Sequence, residues 1–287
     1  MALRGIDVPI SPDDLLRTSK DSSKSSTRFH GFRTFQQKAE TLLKGRLDAE
    51  RNRLSSMGVR ATESEDLECD SGFGTGTFTF SDPLVVTAGD SITMSFSNCE
   101  FVDDGEIYNG SLTMTFKDIG PNMSFAFSFN NFQIKEKFTG DSMLMHGDYT
   151  LTTLINLPKT SVQLVSNSLL VNEVYQGDEF STLLTGLDQS AVHDSSVGSD
   201  TYKANFTVTD SHFGGKVTVE TRTDFVVTSS VATDGEMIIT GANGAKIRLK
   251  AQSSPNVLVE YDLDGDGSYG DQPSETLDLR DLGKEQT

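Results

Sequence analysis

Four aspartates fall within ten residues near the C-terminal end of the chain, in the run Asp262-Leu263-Asp264-Gly265-Asp266-Gly267-Ser268-Tyr269-Gly270-Asp271. Asp262, Asp264 and Asp266 occupy alternate positions, and Gly267 follows where the backbone has to turn sharply. Such a run gathers hard oxygen ligands around one point, which is what a Ca²⁺ ion needs. Without an ion the carboxylates would repel one another, and the tail SETLDLRDLGKEQT behind them would lose its anchor. The competing interpretation is a solvated acidic turn that needs no metal. The stretch VLVEY just before the loop alternates like a strand, so the loop is expected to spring from a sheet.

The run resembles the calcium loops of EF-hands and dockerins, and the shorter DxDGDG loops carried on β scaffolds. That resemblance covers about a dozen residues. It implies that Asp262, Asp264 and Asp266 are the first three carboxylate ligands, Gly267 the turn glycine, and Ser268 a ligand through its backbone carbonyl. This chain departs from the pattern at its end. Pro273 stands where an EF-hand places its bidentate glutamate, and Gly270 fills the ninth position. The closing ligand would then be Asp271 or Glu275, on a strand-borne loop rather than between two helices.

Charge divides the chain. Residues 1–60 carry 12 Lys and Arg against 7 Asp and Glu, a balance of +5; residues 61–287 carry 12 against 35, a balance of −23. So acidic a body repels phosphate backbones, and the basic leader lacks the interleaved aromatics of a single-strand binder, which sets nucleic acid aside. No apolar run is long enough to span a bilayer as a helix, and the first residues show no charged start followed by an apolar core.

Cys69 and Cys99 are the only cysteines. Neither has an adjacent histidine or a CxxC partner, so a disulfide is favoured over a reactive or metal-binding thiol, with two buried free thiols as the alternative. Closing a loop of this length contributes about 3–4 kcal/mol in the chain-entropy model and implies an oxidising compartment.

The elements behind these residues are legible in outline. Residues 1–30, rich in Ser, Asp and Lys, read as a flexible leader. Phe32, Phe35, Ala39, Leu42, Leu43, Leu47 and Leu54 then recur at helical spacing among lysines and arginines, predicting an amphipathic helix over 31–58. It would either pack on the acidic body by its apolar stripe or lie on an anionic membrane surface. From residue 69 to 287 the period is two, in stretches such as SLTMTF, SFAFSF, KANFTVT and AKIRLKA, separated by Gly, Asp and Asn turns.

The fold class expected is therefore mainly β: an antiparallel meander forming a curved sheet, sandwich or half-barrel, with one N-terminal amphipathic helix packed on it. A loose internal echo, SFSNCEF then NGSLTMT against SFNNFQI then HGDYTLT, argues for a repeated hairpin. The stretch 185–200, TGLDQSAVHDSSVGSD, reads as the longest turn-rich gap and a candidate mobile loop or join between two β layers.

The segments GGKVTVET through VLVEYDLDGDGSYG, with GDSITMSFSNC and NGSLTMTF, resemble secreted or lipid-anchored bacterial cell-envelope proteins of uncharacterised function. The resemblance implies an extracytoplasmic β-rich protein, periplasmic, outer-membrane associated or secreted, whose signal or lipid anchor is not in this sequence. It transfers no activity.

No catalytic residues stand out. His30, His146, His193 and His212 lie in unrelated contexts, with only His193 next to a carboxylate, Asp194; there is no GxSxG, and the absence of Trp removes the usual sugar-stacking platform. Asn109, Asn122 and Asn205 are glycosylation acceptors at a frequency close to chance. The function expected is non-enzymatic: a binding or scaffold protein stabilised by a disulfide and a structural calcium ion. One alternative is a periplasmic carrier of a lipid or other apolar ligand in a curved sheet, and a second is a secreted hydrolase.

Overall fold

The computed structural model describes residues 61–67, 69–81, 86–101, 105–120, 122–211, 215–229 and 231–278. The leader expected over 1–30 and the amphipathic helix expected over 31–58 lie outside the described residues. Among the described residues fourteen strands follow one another: β1 (Ala61–Leu67), β2 (Ser71–Phe80), β3 (Ser91–Phe101), β4 (Glu106–Ile119), β5 (Asn122–Glu136), β6 (Ser142–Asn156), β7 (Lys159–Tyr175), β8 (Asp178–Asp194), β9 (Ser199–Asp210), β10 (Gly215–Thr228), β11 (Val231–Thr240), β12 (Lys246–Ala251), β13 (Asn256–Asp262) and β14 (Glu275–Asp278). Each pairs antiparallel with its sequence neighbours, so the strands form one open meander sheet in sequence order.

Alternation gives the sheet two unlike faces. On one, Met94 stands opposite Leu112, Leu112 opposite Phe129, Phe129 opposite Gly147, and Gly147 opposite Leu169, an apolar row running across β3 to β7. It continues through Leu184 and Val208 to Val217 on β10. On the other face Thr77, Thr93, Thr113 and Ser128 stand side by side, and Thr93 and Thr113 share a 2.9 Å hydroxyl hydrogen bond. Short β-branched hydroxyl residues suit a pleated, water-facing surface, while the opposite face removes its large side chains from water.

Two buried clusters hold that apolar face. One joins Phe96, Tyr108, Leu112, Phe129, Phe132 and Met145; the other joins Leu187, Phe206, Val208, Val219 and Met237. In the first the rings pack closely, with Phe96 and Tyr108 centroids 5.5 Å apart and Phe127 stacked on Tyr149 at 4.8 Å. Cys99 is wholly buried there and is disulfide-bonded to Cys69, tying the β1–β2 turn to β3.

Two sequence expectations change and a third narrows. Among the described residues the β body extends back to Ala61, ahead of 69, because ATESEDL forms a strand whose acidic composition hides it from apolar periodicity. The stretch 185–200 holds no join between layers: residues up to Asp194 are the second half of β8, which pairs continuously with β7 to the tight turn before β9. Its Gln, Ser and His side chains imitate loop composition, whereas ladder hydrogen bonds on both sides make it strand. Of the sandwich, half-barrel and curved-sheet options, the strand order gives a single ladder.

Because successive strands reverse direction, the connections fall into two sets. Those after odd-numbered strands, including β11–β12 and β13–β14, lie at one end of the sheet; those after even-numbered strands lie at the other.

Candidate metal centre

Asp262 is the last residue of β13, and the chain leaves the sheet there to make the acidic loop before returning as β14. Carboxylate oxygens of Asp262, Asp264 and Asp271 lie within 4.8 Å of one another. Asp262 has no exposed surface. Asp264 and Asp271 are exposed, so the cluster has a buried floor and an open mouth.

The loop is folded around its own carboxylates. Asp262 Oδ1 accepts the N–H of Gly265 at 2.9 Å, and its Oδ2 accepts that of Gly267 at 3.1 Å. Asp264 accepts from Asp266 N–H at 3.1 Å, and Asp266 accepts from Ser268 N–H at 2.6 Å. Asp271 reaches back across the loop, taking the Leu263 N–H at 2.6 Å. Short acidic side chains satisfy turn amides in this way, so each aspartate stabilises the turn that positions the next. Gly265, at φ +78°, lies close under the neighbouring β11–β12 turn; an added Cβ would stand 3.0 Å from the Gly244 carbonyl oxygen. Only glycine combines that left-handed backbone with that approach.

Two cations from β12 border the loop. Lys246 pairs across the ladder with Asp262, its Nζ 3.1 Å from Oδ2, and Arg248 pairs with Glu260, its Nη2 2.7 Å from Oε2. The Arg248 guanidinium also lies 4.1 Å from the centre of the Tyr269 ring, pinning the far side of the loop by a cation–π contact. Burial alone would raise the Asp262 pKa, but the Lys246 ammonium and the Gly267 and Gly265 amides outweigh it, so the carboxyl titrates below the ordinary aspartate value.

Of the residues implicated by sequence, Asp262, Asp264 and Asp271 converge. Asp266 is engaged in capping Ser268 and is not one of the converging carboxylates, and Ser268 contributes its N–H to that cap. Glu275 is the first residue of β14, opposite Val259, where its carboxylate bonds the Tyr261 hydroxyl and, after burial, helps to raise that phenol's pKa. Of Asp271 and Glu275, only Asp271 lies with Asp262 and Asp264. Sequence reasoning passed over Lys246, Arg248 and Tyr269. The alternation of AKIRLKA against VLVEYD was the available signal, since a one-for-one antiparallel register brings both basic residues opposite acids.

Three carboxylates and one ammonium leave the cluster with two net negative charges, which a divalent cation would neutralise. Oxygen-only donors suit a hard ion such as Ca²⁺ rather than one preferring nitrogen or sulfur. An arriving ion would share Asp262 with Lys246, so the lysine would have to give way or accept a shared carboxylate.

Among the described residues, the histidines form no comparable centre. His193 Nδ1 lies 2.8 Å from Asp200 across β8–β9, both exposed, while its sequence neighbour Asp194 is taken by the N–H and hydroxyl of Ser196 and by Lys159. His146 is exposed in the first half of β6, toward the same end of the sheet as the acidic loop, and His30 and His212 lie outside the described residues. The chain matches no family model, no curated protein and no solved structure.

Proposed function

We propose that this protein is a calcium-stabilised, disulfide-bonded β scaffold that acts by binding, not turnover, outside the cytosol in a bacterial cell envelope. The observation that carries the calcium reading is the convergence of Asp262, Asp264 and Asp271 on one point, with the first of them wholly buried. The ion's role would be to secure the end of the sheet. β14 has only four residues, joined to β13 through the acidic loop, and it covers the β13 edge where Val257, almost fully buried, stands opposite Leu277. An ion holding the loop closed would keep that short strand in register and the edge covered.

The disulfide supports an oxidising location. A basic amphipathic segment over 31–58 fits the same reading as a cover for the strongly acidic body. Thermal melts in calcium and in chelator test the proposal. At free calcium a hundredfold above the dissociation constant, ligand linkage contributes about 2.7 kcal/mol, a midpoint rise of about 5–10 °C for a chain of this size. Identical midpoints in calcium and chelator would end the calcium reading.

A further inference from the structure

We infer that the end of the sheet opposite the acidic loop is a membrane-contact edge, whose apolar hairpin tips enter a zwitterionic phospholipid surface. The observation is a row of exposed aliphatic side chains on three successive turns at that end. Ile119 at the β4–β5 turn is 41% exposed, Leu154, Ile155 and Leu157 around the β6–β7 turn are 41%, 43% and 79% exposed, and Val197 in the β8–β9 turn is 65% exposed. Turns at one end of a meander are separated by two strand spacings, so these three tips form a line of about 20 Å.

Shape argues for a lipid surface over a protein partner. A protein interface buries a contiguous patch centred on well-packed anchors, whereas these residues sit at three separate hairpin ends, Ile119, Leu154 and Ile155 closing their strands and Leu157 and Val197 in the turns. A bilayer interface accepts separated apolar tips, each gaining by its own transfer to the headgroup–acyl boundary. Charge selects the lipid. Around the tips Lys117 is matched by Asp118, Lys159 pairs with Asp194 at 3.6 Å, and Asp200 faces His193, leaving at most one net negative charge. The rim is therefore nearly neutral on a body carrying −23 over residues 61–287, which would be repelled by anionic headgroups. This inference is independent of the metal ion and of the segment 31–58.

The test is co-sedimentation of the full chain with phosphatidylcholine vesicles, beside Leu157→Asp/Val197→Asp. Both positions are exposed, and an unchanged melting midpoint certifies the variant's fold. Wild type is expected to pellet with the vesicles, less so when phosphatidylglycerol is added, and the double variant to lose about tenfold or more in partitioning. The inference is overturned if wild type stays in the supernatant at every lipid concentration, or if the double variant pellets equally well, which would move any contact elsewhere, such as to 31–58. A wild-type dimer that Leu157→Asp dissolves, without vesicle binding, would equally overturn it in favour of self-association.

Discussion

Lys246 governs how the acidic cluster behaves without an ion. Asp262 is buried and ionised, and an ionised carboxylate away from water is tolerable only with a partner; Lys246 and two glycine amides are that partner. Lys246→Met keeps the length and packing of the stem while removing the charge. In chelator this variant should melt about 3–5 °C below wild type, and in calcium most of the loss should be recovered, because the ion then supplies the missing positive charge. Paired melts of the two proteins check this. A loss that calcium does not repair would mean that Lys246 alone serves Asp262.

At the scale of the elements, a line of bulges is the main device. The register shifts between Phe96 and Cys99 on β3, Asn109 and Ser111 on β4, Phe129 and Phe132 on β5, and Gly147 and Thr150 on β6 lie beside one another across the sheet. The echo between SFSNCEF and SFNNFQI marks this line, for Asn98 and Asn131 hold matching left-handed conformations at φ 48° and 49°. Each bulge bends its strand, strengthens the twist, and shifts which residues face the core, from Phe129 to Phe132 on β5. Gly110, at φ +77°, sits where a Cβ would run into the Asn131 carbonyl oxygen. Gly110→Ala should therefore cost about 2–4 kcal/mol, from left-handed strain and a displaced neighbouring strand, measurable as a lowered denaturant midpoint. A variant as stable as wild type would remove the bulge line from the account of the sheet's shape.

For the whole molecule, acid is the condition that separates structural carboxylates from the general surplus. At Asp90, burial would raise the pKa, but the Thr87 and Ser81 amides and hydroxyls bring it below the ordinary value; at Asp188, the hydrogen bond from Lys203 and then that from Gln163 lower it. A carboxyl with a lower pKa folded than unfolded stabilises the fold above its unfolded pKa and loses that contribution as pH falls through the folded value. Melting midpoints should thus hold steady from neutrality to about pH 5 and decline below about pH 4. Relief of self-repulsion in so acidic a body acts in the opposite direction, so the series belongs at moderate salt, where long-range repulsion is screened and these close contacts persist. A midpoint rising steadily down to pH 3 would mean that global charge outweighs them.

The sequence by itself determined the β class, the meander, the cysteine pair as a disulfide candidate and the place of the acidic loop. All of these rest on local signals: a period of two, turn residues at short intervals, and carboxylates close in sequence. It missed β1 and the second half of β8, where polar side chains conceal strands that only their neighbours' hydrogen bonds define. Tertiary structure decided which acids converge. It turned Glu275 toward Tyr261, brought Asp271 back to Asp262, and set Lys246 against the floor of the cluster, because cross-strand register relates residues far apart in the chain by positions that a single bulge can shift. The row of apolar tips likewise emerged only once alternate turns were aligned at one end of the sheet.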